Sequence, residues 1–211
     1  MTPPAHPTSP ITATPASILE FWLGDGMRTG WPADDISQRW FQGSKALDEQ
    51  IKTRFGADIA RAQAGGLQAW EAALESRLAL IILLDQFTRN VFRGTAQAFA
   101  GDSRAQQLTQ QTLKAHEDAG LPWVARVFAY MPLMHAEDAA MQAQCVACFS
   151  ALLEEVPAQI KPRIQGSLKF AHEHQQIIAK FGRFPYRNAA LGRMNTPDEN
   201  VFLQTGPRYG Q

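Results

Sequence analysis

Apolar residues recur at helical spacing along almost the whole chain, and this periodicity constrains the fold more than any other feature. Leu47, Ile51, Phe55 and Ile59 lie four residues apart, as one face of an α-helix requires. The alternation that is typical of β-strands, and the turn sequences of β-hairpins, do not occur. Glycine and proline residues interrupt the pattern at short intervals, which favours antiparallel neighbouring helices. The sequence therefore predicts an all-α fold.

Capping residues set the predicted ends of several helices. Ser17 and Ser44 are candidate N-caps, since a serine hydroxyl can accept a hydrogen bond from the first turn. Gly182 follows the last long helix, where a C-cap glycine is expected. The segment from Pro185 onward is rich in Gly, Pro and Asn, so we expect it to be irregular.

Two long helices are predicted in the middle of the chain. The first extends from about Leu67 to Asn90, because its apolar residues keep one helical face throughout. The second extends from about Leu133 to Glu154. We expect Pro132 to break the chain between this helix and the one before it, because proline lacks the backbone N–H of an interior helical residue.

The first 15 residues differ from the rest of the chain. They contain five prolines and lack the basic and apolar runs of a signal peptide. We expect residues 1–15 to form a flexible proline-rich extension and residues 16–211 a single all-helical domain. No run of about 18 apolar residues occurs, so no transmembrane span and no membrane partner are predicted. Cytoplasmic location is the remaining expectation.

The charge and the cysteine content exclude several classes of protein. The 20 basic and 20 acidic residues give a net charge of zero, which argues against a dedicated nucleic-acid partner. The two cysteines, Cys145 and Cys148, are too few for a disulfide scaffold. They lie within a helical apolar pattern, so we interpret them as core thiols.

A charged residue occupies a core position in the clearest helical stripe. Leu78, Ile81 and Asp85 follow one another at steps of three and four residues, so they share one helical face. We therefore predict that Asp85 points toward the core. Arg89 lies four residues further on the same face, where it can pair with Asp85.

Two histidines have similar positions. His174 shares a stripe of the last long helix with Phe170 and Ile178, and His135 shares a face with Asp138. A buried charge without a partner is costly, so we expect these inward groups to meet. The candidates for acid–base catalysis are His135 and His174, with Asp85 or Asp138 orienting the imidazole.

Arginines near the ends of two helices complete the predicted cluster. The candidate ligand-binding residues are Asp85, Arg89, Arg93, His135, Glu137, Asp138, His174, Arg183 and Arg187. Such a cluster is either a closed network that fixes helix register or an open binding or acid–base site. No recognised metal-ligand spacing is present, so we expect neither a metal nor another cofactor.

Three motifs together resemble a known family. They are DQFTRNVFRG at residues 85–94, YMPLMHAED at 130–138 and FGRFPYRN at 181–188. In this order they resemble a bacterial family of proteins of unknown function, family 924, over about Ile18 to Glu199. The resemblance implies a tetratricopeptide-like right-handed superhelix of antiparallel helix pairs. It implies no established activity.

Three positions depart from the pattern of that family. Thr88 stands where proline is usual, Gln176 where aspartate is usual, and Tyr186 where histidine is usual. The loss of an acid and an imidazole weakens any proton-transfer or metal role of the C-terminal motif. The threonine is expected to relax a kink near the end of the Asp85 helix.

Three functional hypotheses follow. The first is a binding module whose groove, lined by arginine, histidine and carboxylate groups, takes a peptide or a small anionic ligand. The second is an enzyme with a histidine–carboxylate acid–base pair. The third is a purely structural role for the cluster. The sequence leaves the oligomeric state open.

Overall fold

A computed structural model describes residues 12–41, 43–207 and 209. This part of the chain is helical and contains no β-strand, which confirms the predicted all-α class. None of its helices is both long enough and apolar enough to cross a membrane. The α-helices are α1 Pro15–Leu23, α2 Gly26–Thr29, α3 Ser37–Phe41, α4 Lys45–Gln63, α5 Leu74–Ile81, α6 Thr88–Val91, α7 Asp102–Lys114, α8 Trp123–Met134, α9 Ala139–Glu155, α10 Lys161–Phe181 and α11 Pro197–Thr205.

The first helix is part of the core. The Thr14 hydroxyl accepts from the Ser17 amide, and the Ser17 hydroxyl accepts from the Thr14 amide. The cap of α1 therefore lies three residues before the predicted Ser17. The Trp22 indole is completely buried and meets the rings of Phe87 and Phe128 edge to face, at centroid distances of 5.3 and 5.9 Å. Most of the predicted 1–15 extension lies outside the described residues.

The predicted Leu67–Asn90 helix begins later than expected. Leu67 adopts a left-handed conformation, with φ of 59°, and a short 3₁₀ turn precedes α5 at Leu74. The Ser76 hydroxyl and the Arg77 guanidinium each donate to a carbonyl of that turn, which stabilises it against continuing as an α-helix. From Leu74 the helix continues to Val91, but its Ile82–Phe87 segment is π-helical.

The break near the end of α8 lies after Pro132 rather than at it. Pro132 is inside the last turn of α8, and the chain leaves the helix at residues 135–138. The Gln142 side-chain amide donates to the carbonyls of Leu133, Met134 and Ala136, which satisfies the open end of α8. This interaction fixes the break three residues beyond the predicted position.

The C-terminal half is built from sequential helix pairs. Helix α9 packs against α8 and α10, and α10 ends at Gly182 with a φ of 69°, as predicted. These contacts agree with a superhelix of helix pairs, which stays a prediction. The region after Pro185 is more regular than expected, because Thr196 and Glu199 form a capping box that begins α11.

Candidate functional site

Asp85 is the centre of the site. It lies in the π-helical segment with no exposed surface, which confirms the predicted inward position. One carboxylate oxygen lies 2.7 Å from Nδ1 of His135 and 3.1 Å from the Arg89 guanidinium. The other accepts a hydrogen bond of 2.5 Å from the Gln86 side chain. Burial alone would raise the pKa of Asp85, but Arg89 and His135 outweigh it, so the pKa lies below its usual value.

Two carbonyl groups within the π-helical segment accept hydrogen bonds from side chains. The Thr88 hydroxyl donates to the Leu84 carbonyl at 2.8 Å, and Arg89 donates to the Asp85 carbonyl at 2.6 Å. We expected Thr88 to relax a kink at this point of the helix. The structure has a π-helical segment immediately before Thr88, so the helix still departs from α geometry there. π-Helical turns of this kind occur frequently at functional sites.

A second carboxylate, Asp102 at the start of α7, supports the arginines. It accepts from Arg89 at 2.9 Å and from Arg187 at 3.2 Å. Gly101 makes this approach possible, since a Cβ there would lie 2.4 Å from the Leu84 carbonyl oxygen. The sequence analysis did not identify Asp102 as a member of the cluster.

His135 lies where α8 ends and is held on both sides. Its ring contacts Asp85, and its carbonyl accepts from Arg187 at 3.0 Å. The Arg187 guanidinium in turn lies between the Phe99 and Phe184 rings, 4.7 and 4.6 Å from their centroids. Burial, together with Arg89 and Arg187, lowers the pKa of His135 despite the opposing effect of Asp85. A lowered pKa favours the neutral form of the imidazole.

His174 reaches the same place from α10. Its ring centroid is 6.3 Å from that of His135 and 4.1 Å from the Tyr209 ring. Nδ1 donates to the Phe170 carbonyl at 2.8 Å. Burial and the neighbouring His135 lower the pKa of His174 to about 3.

A cavity of about 540 Å³ opens beside the two imidazoles. Its lining contains both polar and apolar side chains. No carboxylate occurs among the described residues that line it. The polar lining residues are Gln86, Arg89, Asn90, Arg93, His135, Ser167 and His174, and the others are Trp40, Gly43, Val127, Met131, Met134, Phe149, Phe170 and Tyr209.

The structure thus brings together five of the nine predicted residues at one place: Asp85, Arg89, His135, His174 and Arg187. Arg93 lies at the rim of the cavity, 3.5 Å from Asp48. Spacing along one helix could not predict the apolar lining, because its residues come from four different helices, from Gly43 between α3 and α4, and from the segment after α11.

The other three predicted residues make contacts outside the cavity instead. Asp138 caps α9 through the Met141 amide at 2.8 Å. Glu137 pairs with Arg193 at 2.6 Å and accepts from the Phe184 amide. Arg183 pairs with Glu199 at 2.7 Å. None of these three lines the cavity. Nδ1 of His135 faces Asp85 and Nδ1 of His174 faces the Phe170 carbonyl, so Asp138 orients neither imidazole.

Two of the departures from the family pattern lie outside the cavity lining. Gln176 is exposed on α10, so an aspartate there would face solvent rather than the cluster. Tyr186 stacks on Phe184 at a centroid distance of 5.3 Å. Burial raises the pKa of its phenol above the usual value.

The two cysteines and the metal-ligating side chains of the described residues provide no second candidate site. Cys145 is buried and Cys148 is half-buried; both are free thiols, and burial raises the pKa of Cys148 to about 11. Across the described ranges, no three His, Cys, Asp or Glu side chains are grouped as a metal ion would require.

Comparison with known proteins agrees with this architecture. A family model described as "Bacterial protein of unknown function (DUF924)" matches residues 18–207. A solved structure of a protein of unknown function from Agrobacterium tumefaciens is 35% identical, with a TM-score of 0.73, over 91% of this chain and 97% of that chain. No curated protein matches the chain. The chain belongs to the DUF924 family of bacterial proteins of unknown function.

Proposed function

We propose that the protein binds a small anionic ligand with an apolar body in the cavity beside His135 and His174. The observation that carries this proposal is the lining, which combines two arginines and two histidines without a carboxylate among the described residues. A carboxylate group on a mainly hydrocarbon skeleton has the matching chemistry.

The carboxylates of the cluster lie behind the lining and hold the arginines in place. Asp85 and Asp102 both contact Arg89, and Asp48 lies 3.5 Å from Arg93. An arginine that is already oriented loses less conformational entropy when a ligand arrives. The ion pairs therefore preorganise the guanidinium groups of Arg89 and Arg93 that line the cavity.

The volume of the cavity favours a small molecule over an extended peptide. About 540 Å³ lies within the usual range of small-ligand pockets. The apolar lining residues include Trp40, Met131 and Phe149, and an aromatic or branched aliphatic group of the ligand can pack against them. A peptide would place only its terminal carboxylate and last side chain here.

Calorimetric titration with a matched pair of ligands tests the proposal. We expect 3-phenylpropanoate to bind measurably and 3-phenylpropan-1-ol, which has the same body without the charge, to bind at least about tenfold more weakly. Arg93→Gln is expected to weaken binding of the acid by a similar factor. Arg183→Gln removes an arginine that does not line the cavity and is the matched control.

A third ligand distinguishes the two sources of a carboxylate, which are a free small acid and the C-terminus of a peptide. A short peptide that ends in phenylalanine presents the same terminal group on a longer chain. If the peptide bound and the free acid did not, the small-ligand proposal would be wrong. Equal affinity of the acid and the alcohol would overturn the role of the arginines.

A further inference from the structure

The two imidazoles of the cavity have defined tautomers. Nδ1 of His135 faces the ionised Asp85 carboxylate at 2.7 Å, and Nδ1 of His174 faces the Phe170 carbonyl at 2.8 Å. Both partners only accept hydrogen bonds, so each Nδ1 carries the proton. Each Nε2 therefore carries a lone pair, and within the described part of the chain neither Nε2 has a hydrogen-bond partner.

The hydrogen-bond partners of the two Nδ1 atoms differ. Nδ1 of His135 bonds the Asp85 carboxylate, which Gln86 and Arg89 hold in position. His174 has only a neutral carbonyl. A carboxylate stabilises the imidazolium that forms when Nε2 takes up a proton, whereas a carbonyl does so less. His135 is consequently the better placed of the two to act as a base.

We propose that the Asp85–His135 pair makes this cavity the active site of a hydrolase for small carboxylic esters with an apolar acyl group. The inference rests on the proposed function, because the acid that such a reaction releases is the anion that the cavity is proposed to bind.

The lining residues make water the nucleophile. Among the described lining residues, Ser167 donates its hydroxyl to the Arg163 carbonyl, and the Tyr209 phenol donates to Glu173. Neither cysteine lines the cavity. A water molecule between the ester and His135 would be activated by Nε2.

The reaction balances without a redox partner or another co-reactant. His135 Nε2 takes one proton from water as the water oxygen bonds to the ester carbonyl carbon, whose oxygen becomes an oxyanion. Arg89 and Arg93 line the same cavity and supply positive charge for that oxyanion. The carbon–oxygen bond to the alcohol then breaks, and Nε2–H returns its proton to the leaving oxygen. The products are a carboxylic acid and an alcohol.

The pH dependence follows from the groups that face His135. They are Asp85 and Arg89 from the helix that continues α5, Arg187 from the turn after α10, and His174 from α10, with Asp102 behind the arginines. The two arginines and the burial favour neutral imidazole. Because the pKa of His135 is lowered, we expect the rate to stay constant down to about pH 6.5, the usual pKa of histidine, and to fall only at lower pH.

Hydrolysis of the 4-nitrophenyl ester of 3-phenylpropanoate tests the inference. His135→Gln is expected to lower kcat/KM about 100-fold or more, the usual contribution of a general base. His172→Gln changes an exposed histidine on α10 and is the control for adventitious imidazole catalysis, so it should keep the wild-type rate. Wild-type activity in His135→Gln, or an equal loss in His172→Gln, would overturn the inference.

Calorimetry on the same variants separates this inference from the proposed function. If His135→Gln still binds 3-phenylpropanoate but the wild-type protein hydrolyses the ester no faster than that variant does, the catalytic inference fails and the binding proposal stands. If the acid does not bind the wild-type protein, the proposed function fails whatever the ester result.

Asp85 is a positioning residue in this scheme, and its role has its own measurement. ¹⁵N NMR of the wild-type imidazoles should show protonated Nδ1 and unprotonated Nε2 on both His135 and His174. In Asp85→Asn we expect loss of that preference at His135 only, with an altered pH profile of the residual rate. A wild-type His135 protonated at Nε2 would overturn the scheme even if Asp85→Asn does not fold.

Discussion

Helix α8 carries a polar cluster at each end, and the two differ in whether they reach a cavity. Near its start, Arg126 contacts Tyr130 and Glu155, and the Tyr130 hydroxyl donates to Asp118 at 2.6 Å. Neither Arg126 nor Tyr130 lines the cavity. Just past its end, His135 contacts Asp85 and lines the cavity.

The two clusters differ in where their polar groups find partners, and this difference assigns a purely stabilising role to the Arg126 cluster. In the Arg126 cluster, the phenol both donates and accepts, and the guanidinium contacts three groups, so the hydrogen bonds stay within the protein. In the Asp85 cluster, Nδ1 of each imidazole has a hydrogen-bond partner, and neither Nε2 has one within the described part of the chain. Substitutions at both ends of α8 therefore test the comparison.

Asp85→Asn is expected to have the largest effect on stability. It removes the buried charge that faces both Arg89 and His135, although Asp102 still contacts Arg89. Breaking a buried pair on one side costs about 3 kcal/mol or more. Urea denaturation at pH 7 measures the loss. A change below about 1 kcal/mol would mean that Asp102 alone compensates Arg89.

Acid should destabilise the cavity cluster before it affects the carboxylates. The pKa of His174 is about 3 in the folded state and about 6.5 when unfolded, so below pH 6.5 the unfolded chain binds more protons. Stability is complete above about pH 6.5 and decreases as pH falls toward 3, by about 1.4 kcal/mol for each pH unit. The lowered pKa of His135 acts in the same direction.

Urea denaturation between pH 7 and pH 4.5 measures this slope. The slopes are compared in the part of this range above about pH 5.5, where the carboxylates are ionised in both the folded and the unfolded chain and so contribute little. His174→Gln should have a shallower slope than the wild-type protein. If the two slopes coincide, His174 is not a buried neutral imidazole in the folded state.

Tyr130→Phe tests the Arg126 cluster. It removes hydrogen bonds to Arg126 and Asp118 while it keeps the ring that packs against Phe149. We expect a loss of about 1–3 kcal/mol, because the Arg126 Nε–H group and one Asp118 oxygen each lose a hydrogen-bond partner. Binding of 3-phenylpropanoate should be unchanged. A weaker affinity of this variant would show that the two ends of α8 are coupled.

Periodicity predicted what lies on helical faces. Asp85, Arg89 and His174 are positioned by the stripe of their own helix, so spacing alone indicates that they point inward. Asp138 and Arg183 lie at helix ends, where spacing no longer fixes direction. A local cap and a local ion pair satisfy them instead.

Contacts between distant segments could not be predicted in this way. Asp102 reaches Arg89 because Gly101 lets α7 begin against the Leu84 carbonyl, and no helical period records that contact. The π-helical segment likewise has no marker in the sequence. The Thr196–Glu199 capping box was visible in the sequence and would have indicated α11.

Glu155→Gln is expected to have the smallest effect, and it completes the comparison because it makes the same chemical change as Asp85→Asn. Glu155 contacts Arg126, but its side chain is 52% exposed, so water and salt screen the pair. Arg126 also keeps Tyr130 and Asp118 as partners. We therefore expect a loss below about 1 kcal/mol, which decreases further in high salt. A loss as large as that of Asp85→Asn would show that burial does not set the difference between the two clusters.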